Sequence, residues 1–133
     1  MDNQKDANKK STHLSKDERD TMLLLSYQYL HYGKFNQAKD LLVGVHTSRP
    51  RDLSILPLLA YAQLRCKKSK NALRIMHELK KRGWTSPEYY LLMAQVLQEV
   101  GNVDESRRHY KQYVRIKMKQ KQAMENAVSG EKP

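Results

Sequence analysis

Apolar positions along this chain recur at the three- and four-residue spacing of one face of an α-helix. Turn-forming residues interrupt this pattern and divide it into six segments. Ser15-Lys16-Asp17-Glu18 reads as a capping box opening the first segment. Ser54 is expected to cap the third, and Ser86 followed by Pro87 to open the fifth. The pattern predicts an all-α fold with helices at about 16–32, 35–47, 54–66, 70–82, 87–100 and 104–122.

The pattern itself repeats with a period of 34 residues. Seven columns share the spacing: Gly33, Lys67 and Gly101; Ala38, Ala72 and Ser106; Leu25, Leu59 and Met93; Ser26, Ala60 and Ala94; Tyr29, Gln63 and Leu97; Leu42, Met76 and Tyr110; Val45, Leu79 and Tyr113. Small residues within the columns let two helices approach closely. Each period therefore predicts a helix, a tight turn and an antiparallel helix, and such hairpins bury their apolar faces by stacking.

This pattern resembles the tetratricopeptide repeat. The first period, Met22-x2-Leu25-Ser26-x2-Tyr29 … Gly33-Lys34-Phe35-x2-Ala38 … Pro50, matches the family signature except that Ser26 stands where glycine is usual. The resemblance implies three tandem hairpins in a right-handed superhelix over residues 15–122, with repeats at about 19–52, 53–86 and 87–120. Residues 1–14 and 123–133 are polar and lack periodicity, so we expect a disordered arm and a disordered tail.

The resemblance also implies that the first helix of each hairpin lines a concave groove. The residues expected to contact a partner there are Leu23, Tyr27, Leu30, Pro57, Tyr61, Leu64, Arg65, Leu91 and Gln95. Leu23, Tyr27 and Tyr61 stand where repeats that clamp a carboxylate carry Lys and Asn. An apolar groove with two tyrosines is suited to an amphipathic helix or an extended apolar peptide. The alternative is that some of these residues pack against the N-terminal arm or a second copy of the chain.

Composition and charge narrow the functions and locations that the sequence allows. The net charge of +11 fits nucleic acid, an acidic protein or solubility alone, but the basic residues fall mainly at turns and second helices without interleaved aromatic residues, which favours a solvated face. No apolar run approaches the roughly 18 residues of a membrane span. The five histidines lack metal-site spacing and Cys66 has no cysteine partner, so we expect no catalytic residue, metal or cofactor and no enzymatic activity. The single cysteine and the polar N-terminus favour the cytoplasm.

A closer resemblance is to the small bacterial type III secretion chaperones of the SctY (YscY) kind, which are little more than three such repeats. It rests on residues 16–25, on Ala38-Lys39-Asp40-Leu41-Leu42 and on residues 106–113. It implies that the protein binds and shields a small export-apparatus substrate in the bacterial cytoplasm. Two other functions stay open, namely a general scaffold using the same groove, and a nucleic-acid accessory protein acting through Arg107, Arg108, Lys111 and Arg115.

Overall fold

A computed structural model describes residues 14–130, which form six α-helices, one 3₁₀ turn and no strand. The helices are α1 (Lys16–His31), α2 (Phe35–Ser48), α3 (Leu56–Arg65), α4 (Ser69–Lys81), α5 (Pro87–Glu99) and α6 (Val103–Val128), and the 3₁₀ turn Leu53–Ile55 precedes α3. The all-α class predicted from the sequence is confirmed. Within the described range no helix combines the length and apolarity needed to cross a membrane.

The helix starts follow local capping chemistry. At α1 the Glu18 N–H donates to Ser15 Oγ at 3.1 Å and the Ser15 N–H donates to the Glu18 carboxylate at 3.4 Å, so the predicted capping box is present. The prediction that Ser54 caps the third helix is wrong. Ile55 stands at the N-cap position of α3, and no side chain caps that helix. The Asp52 carboxylate instead caps the 3₁₀ turn before it, accepting from the Ser54 N–H at 3.2 Å.

Three tight turns have the same backbone geometry at the 34-residue spacing. Gly33, Lys67 and Gly101 have φ values of 74°, 64° and 90°, which is left-handed backbone. In each turn the next N–H donates to the carbonyl five residues earlier: Lys34 to Tyr29 at 2.8 Å, Lys68 to Gln63 at 2.9 Å, and Asn102 to Leu97 at 2.9 Å. The 34-residue period of the sequence is therefore accompanied by a backbone conformation that recurs every 34 residues.

The chain divides into two compact units, one ending at Leu79 and the other beginning at Lys80. In the first unit α2 packs against both α1 and α3. Its core consists of Ala38, Leu42, Val45, Ile55, Leu56, Leu59, Ala60, Ala62, Leu64, Ala72, Met76 and Leu79. In the second unit α5 packs against α6. Ser106, in the small-residue column, is buried there and its hydroxyl donates to the Ala94 carbonyl at 2.6 Å.

The last helix is longer than the sequence pattern predicted. We expected it to end near residue 122 and to be followed by a disordered tail, but α6 continues to Val128. Residues 117–125 are Lys, Gln, Ala, Met and Glu, all strong helix formers, and no glycine occurs between Gly101 and Gly130. The rest of the predicted tail, 131–133, and residues 1–13 of the predicted arm lie outside the described residues. Leu14 is described, and its carbonyl accepts from Arg49 Nη1 at 2.8 Å.

Candidate protein-binding face

Helix α1 exposes a large amount of apolar surface. Residues 22–30 read Met-Leu-Leu-Leu-Ser-Tyr-Gln-Tyr-Leu, yet Ser26 is the one residue of α1 that is buried. Leu24 is 62% exposed and Tyr27 is 56% exposed. A helix that is apolar around its whole circumference is normally covered on all sides. Within residues 14–130, one side of α1 packs against α2 while the side that carries Leu24 and Tyr27 faces solvent.

The covered side of α1 depends on a small residue. Ser26 is fully buried, and its hydroxyl donates to the Met22 carbonyl four residues earlier at 2.8 Å. This local bond satisfies the hydroxyl without a partner from α2. A small side chain here keeps α1 and α2 close together, which is the role the repeat pattern predicts for this column.

An ion-pair network joins the start of α1 to the start of α3. Arg19 Nε donates to Asp52 Oδ2 at 2.7 Å, and Arg19 Nη2 donates to Ser54 Oγ at 2.5 Å. Burial alone would raise the pKa of the Asp52 carboxyl. The hydrogen bonds from Ser54 and Arg19 outweigh burial and hold that pKa below its ordinary value. The network therefore contains an ionised carboxylate and places the first turn of α1 beside the residues that lead into α3.

A second contact ties the other end of α3 to the start of α2. The Arg65 guanidinium lies 4.6 Å from the centre of the Phe35 ring, which is a cation–π contact. Because α2 also packs against both α1 and α3, the three helices hold one another in place. The predicted contact residues of α1 and α3 correspond at the repeat period: Leu23 with Pro57, Tyr27 with Tyr61, and Leu30 with Leu64.

The predicted groove residues differ in how accessible they are. Leu23, Leu30, Pro57 and Tyr61 are half-buried, whereas Tyr27 and Arg65 are exposed. Leu64 is buried at 7% exposure and belongs to the core of the first unit. The first unit therefore leaves Leu23, Tyr27 and Leu30 accessible on α1 at i, i+4, i+7 spacing, but only Pro57 and Tyr61 of the matching apolar positions on α3. In the second unit, Leu91 is half-buried and Gln95 is exposed, both on α5.

Repeat phase does not identify Leu24 as a contact residue, although it lies beside Tyr27 on the exposed side of α1. The signal that could have found it is the apolar character of α1 all round its axis. We call Leu23, Leu24, Tyr27, Leu30, Pro57 and Tyr61 the apolar face of the first unit.

An aromatic cluster in the second unit has a packing role instead. Tyr89 is 2% exposed and makes edge contacts with Trp84 at 5.8 Å and Tyr90 at 5.2 Å between ring centres. His109 of α6 lies 6.5 Å from Tyr89, and its Nδ1 donates to the Glu105 carbonyl at 2.8 Å. Burial raises the pKa of Tyr89. These rings fill the contact between α5 and α6.

Groups suited to metal chemistry do not occur among residues 14–130, where no three His, Cys, Asp or Glu side chains could hold an ion. Cys66 is a free, half-buried cysteine. No protein-family model matches the chain, and no curated protein matches it. The apolar face is therefore interpreted from its own geometry.

Proposed function

We propose that this protein is a small tetratricopeptide-type module that binds another protein through the apolar face of its first unit, and that it acts as a cytoplasmic chaperone for a small type III secretion substrate. The repeat assignment is supported by the three left-handed turns at Gly33, Lys67 and Gly101, which share their hydrogen bonds at a 34-residue spacing. The right-handed superhelix and the absence of enzymatic activity stay predictions.

The observation that carries the proposal is the exposed apolar surface of α1. Leu24 and Tyr27, which are i, i+3 neighbours on one side of α1, each expose more than half of their surface. Contiguous exposed apolar groups on a helix face mark an interaction site, because leaving them in water costs free energy that a partner's apolar surface recovers.

The chemistry of the face indicates what it binds. Tyr27 and Tyr61 each combine an apolar ring with a hydroxyl that can hydrogen-bond at the edge of an interface. Leu23 and Leu30 lie seven residues apart on α1. This is the heptad spacing at which apolar side chains of one helix contact a second helix packed along it. The preferred occupant is an apolar face of a helix. The resemblance to the SctY kind of chaperone supports a small export-apparatus substrate as its source.

The test is co-expression with candidate substrates encoded beside this chain, followed by affinity measurement. Tyr27→Glu combined with Tyr61→Glu should weaken binding by about 2–4 kcal/mol, because two charges would be buried against an apolar partner. The matched control is Tyr32→Glu, since Tyr32 is 75% exposed in the turn after α1. The control should bind like the unchanged protein. An unaltered affinity in the folded double variant would rule out the apolar face.

Partner number separates the chaperone from a general scaffold. A dedicated chaperone should copurify with one small protein and aggregate when that protein is absent, because its apolar face is then uncovered. A scaffold should remain dispersed alone and capture several peptides. Sedimentation of the free protein together with a pull-down from the native host distinguishes the two.

A further inference from the structure

The last helix presents a second exposed surface that the proposed function does not use. Helix α6 runs from Val103 to Val128, and none of its residues from 117 onward is buried or half-buried. Exposed apolar side chains occur along its whole length: Val103, Tyr110, Val114, Met118, Met124 and Val128. Several of them recur on one side of the helix.

That side has the heptad spacing of a helix that pairs with another helix. Starting at Val103, steps of four and three residues alternate along it. The positions reached are Val103, Arg107, Tyr110, Val114, Lys117, Lys121, Met124 and Val128. We call this set the α6 seam. Alternating steps of four and three keep one stripe facing a partner helix over many turns. Ser106 borders the seam, because Val103 lies three residues before it and Tyr110 four residues after it. His109 lies farther round the helix, on the side that is half-buried in the second unit.

The side chains at the far end of the seam are those of Lys117, Gln120, Lys121, Met124, Glu125, Val128 and Ser129. They combine apolar surface with two ammonium groups and one carboxylate. An occupant that offers apolar contact and a net negative charge is complementary to this surface.

Cations outnumber acids on α6. The helix contains three acids, Asp104, Glu105 and Glu125, and seven cations: Arg107, Arg108, Lys111, Arg115, Lys117, Lys119 and Lys121. We propose that the α6 seam binds an amphipathic α-helix of a partner protein, with carboxylates placed opposite Lys117 and Lys121. Apolar contact would supply the affinity, and the charge pairs would fix register and orientation.

Three other occupants fit less well. A second copy of α6 would set seven cations of one helix against seven of the other, with three carboxylates from each helix to pair with them. The chain's own residues 1–13 contain one large apolar residue, Met1, and so cannot fill the seam. A lipid surface favours helices with Trp, Phe and Leu on an uninterrupted apolar side, whereas α6 contains none of these residues and its seam is interrupted by three cations, Arg107, Lys117 and Lys121.

The experiment uses the full chain and a synthetic helical peptide of about four heptads, with Leu at its seam positions and Glu opposite Lys117 and Lys121. Fluorescence anisotropy measures its Kd. The test variant is Lys117→Glu with Lys121→Glu. The control is Arg115→Glu with Lys119→Glu, which has the same charge change and spacing on the opposite side of α6. Because all four residues are exposed, both variants should keep the circular dichroism spectrum of the unchanged protein.

We expect the test variant to weaken peptide binding at least about tenfold and the control less than about threefold. A peptide with Lys in place of Glu should bind the test variant better than it binds the unchanged protein. Equal loss in both variants, or no peptide binding at about 200 µM, overturns the proposal. So does tighter binding to phosphatidylserine vesicles or to duplex DNA, which would assign the helix to a lipid or nucleic-acid surface. The experiment does not involve the apolar face, so its failure leaves the proposed function standing.

Discussion

Replacing Lys67 by glycine should stabilise the protein. Lys67 holds a φ of 64°, whereas glycines hold the equivalent positions 33 and 101. Left-handed backbone costs a residue with a Cβ about 1–2 kcal/mol. Glycine avoids that strain, but it also raises the conformational entropy of the unfolded chain, which lowers the free energy of unfolding by about 0.5–1 kcal/mol. The net expectation is a gain of about 0.5–1 kcal/mol, or a rise in Tm of about 2–4 °C.

The assay is urea unfolding followed by circular dichroism at the helical band, run beside two controls. Lys67→Ala removes the same charge but keeps the strain, so it should leave the stability within about 0.5 kcal/mol. Gly101→Ala should destabilise by about 1 kcal/mol, because its φ is 90° and a Cβ there meets no atom within 4 Å, so strain is the remaining cost. The reasoning is refuted if Lys67→Gly lowers the midpoint, or if Lys67→Ala raises it equally.

Three further outcomes are expected. Ala72→Arg should unfold the first unit in the same assay, since Ala72 is fully buried, while Lys70→Arg on the exposed side should not; a folded Ala72→Arg protein contradicts the core assignment. Ser15→Ala should cost about 1 kcal/mol of unfolding free energy through loss of the capping box, and no change would mean that the cap contributes nothing. Because the pKa of Asp52 is lowered from 3.8 in the folded state, its ionised form stabilises the fold above that pH, and this contribution is lost as pH falls through the lower folded pKa. Asp52→Asn should therefore unfold with a shallower dependence on pH below about 4, and an unchanged acid profile would show that Asp52 is not linked to folding.

Most of the helix boundaries could be predicted from the sequence, because interactions between residues close in the chain determine them. The capping box at Ser15 and Glu18 and the turns at Gly33 and Gly101 follow from residues a few positions apart. At Lys67 the position in the repeat predicts the backbone better than the residue type does, because this lysine adopts the left-handed conformation that glycine has at positions 33 and 101. The start of α3 was not predicted correctly, because Asp52 and Ser54 are both ordinary cap residues and the sequence does not show which of them is used. In the fold Asp52 caps the 3₁₀ turn before α3 and also binds Arg19, which lies 33 residues earlier.

The candidate site was predictable only in part. Phase within the repeat located Tyr27 and Tyr61, but it did not separate Leu64, which the first unit buries, from residues left in contact with solvent. Position within the repeat also did not identify Leu24. Leu24 is exposed because no helix within residues 14–130 packs against the side of α1 that carries it. Burial is set by which helices surround a position, and periodicity within one helix does not specify those neighbours.

The bonds from Arg19 to Asp52 and Ser54 have a consequence for when the protein becomes able to act. They close over 33 and 35 residues of chain, and loops this short form early during folding. The core of the first unit also needs Ala72, Met76 and Leu79 of α4, so this unit can assemble on the ribosome once α4 has emerged and before the last helix is complete. Under the proposed function, the partner-binding surface would then be formed before the chain is released.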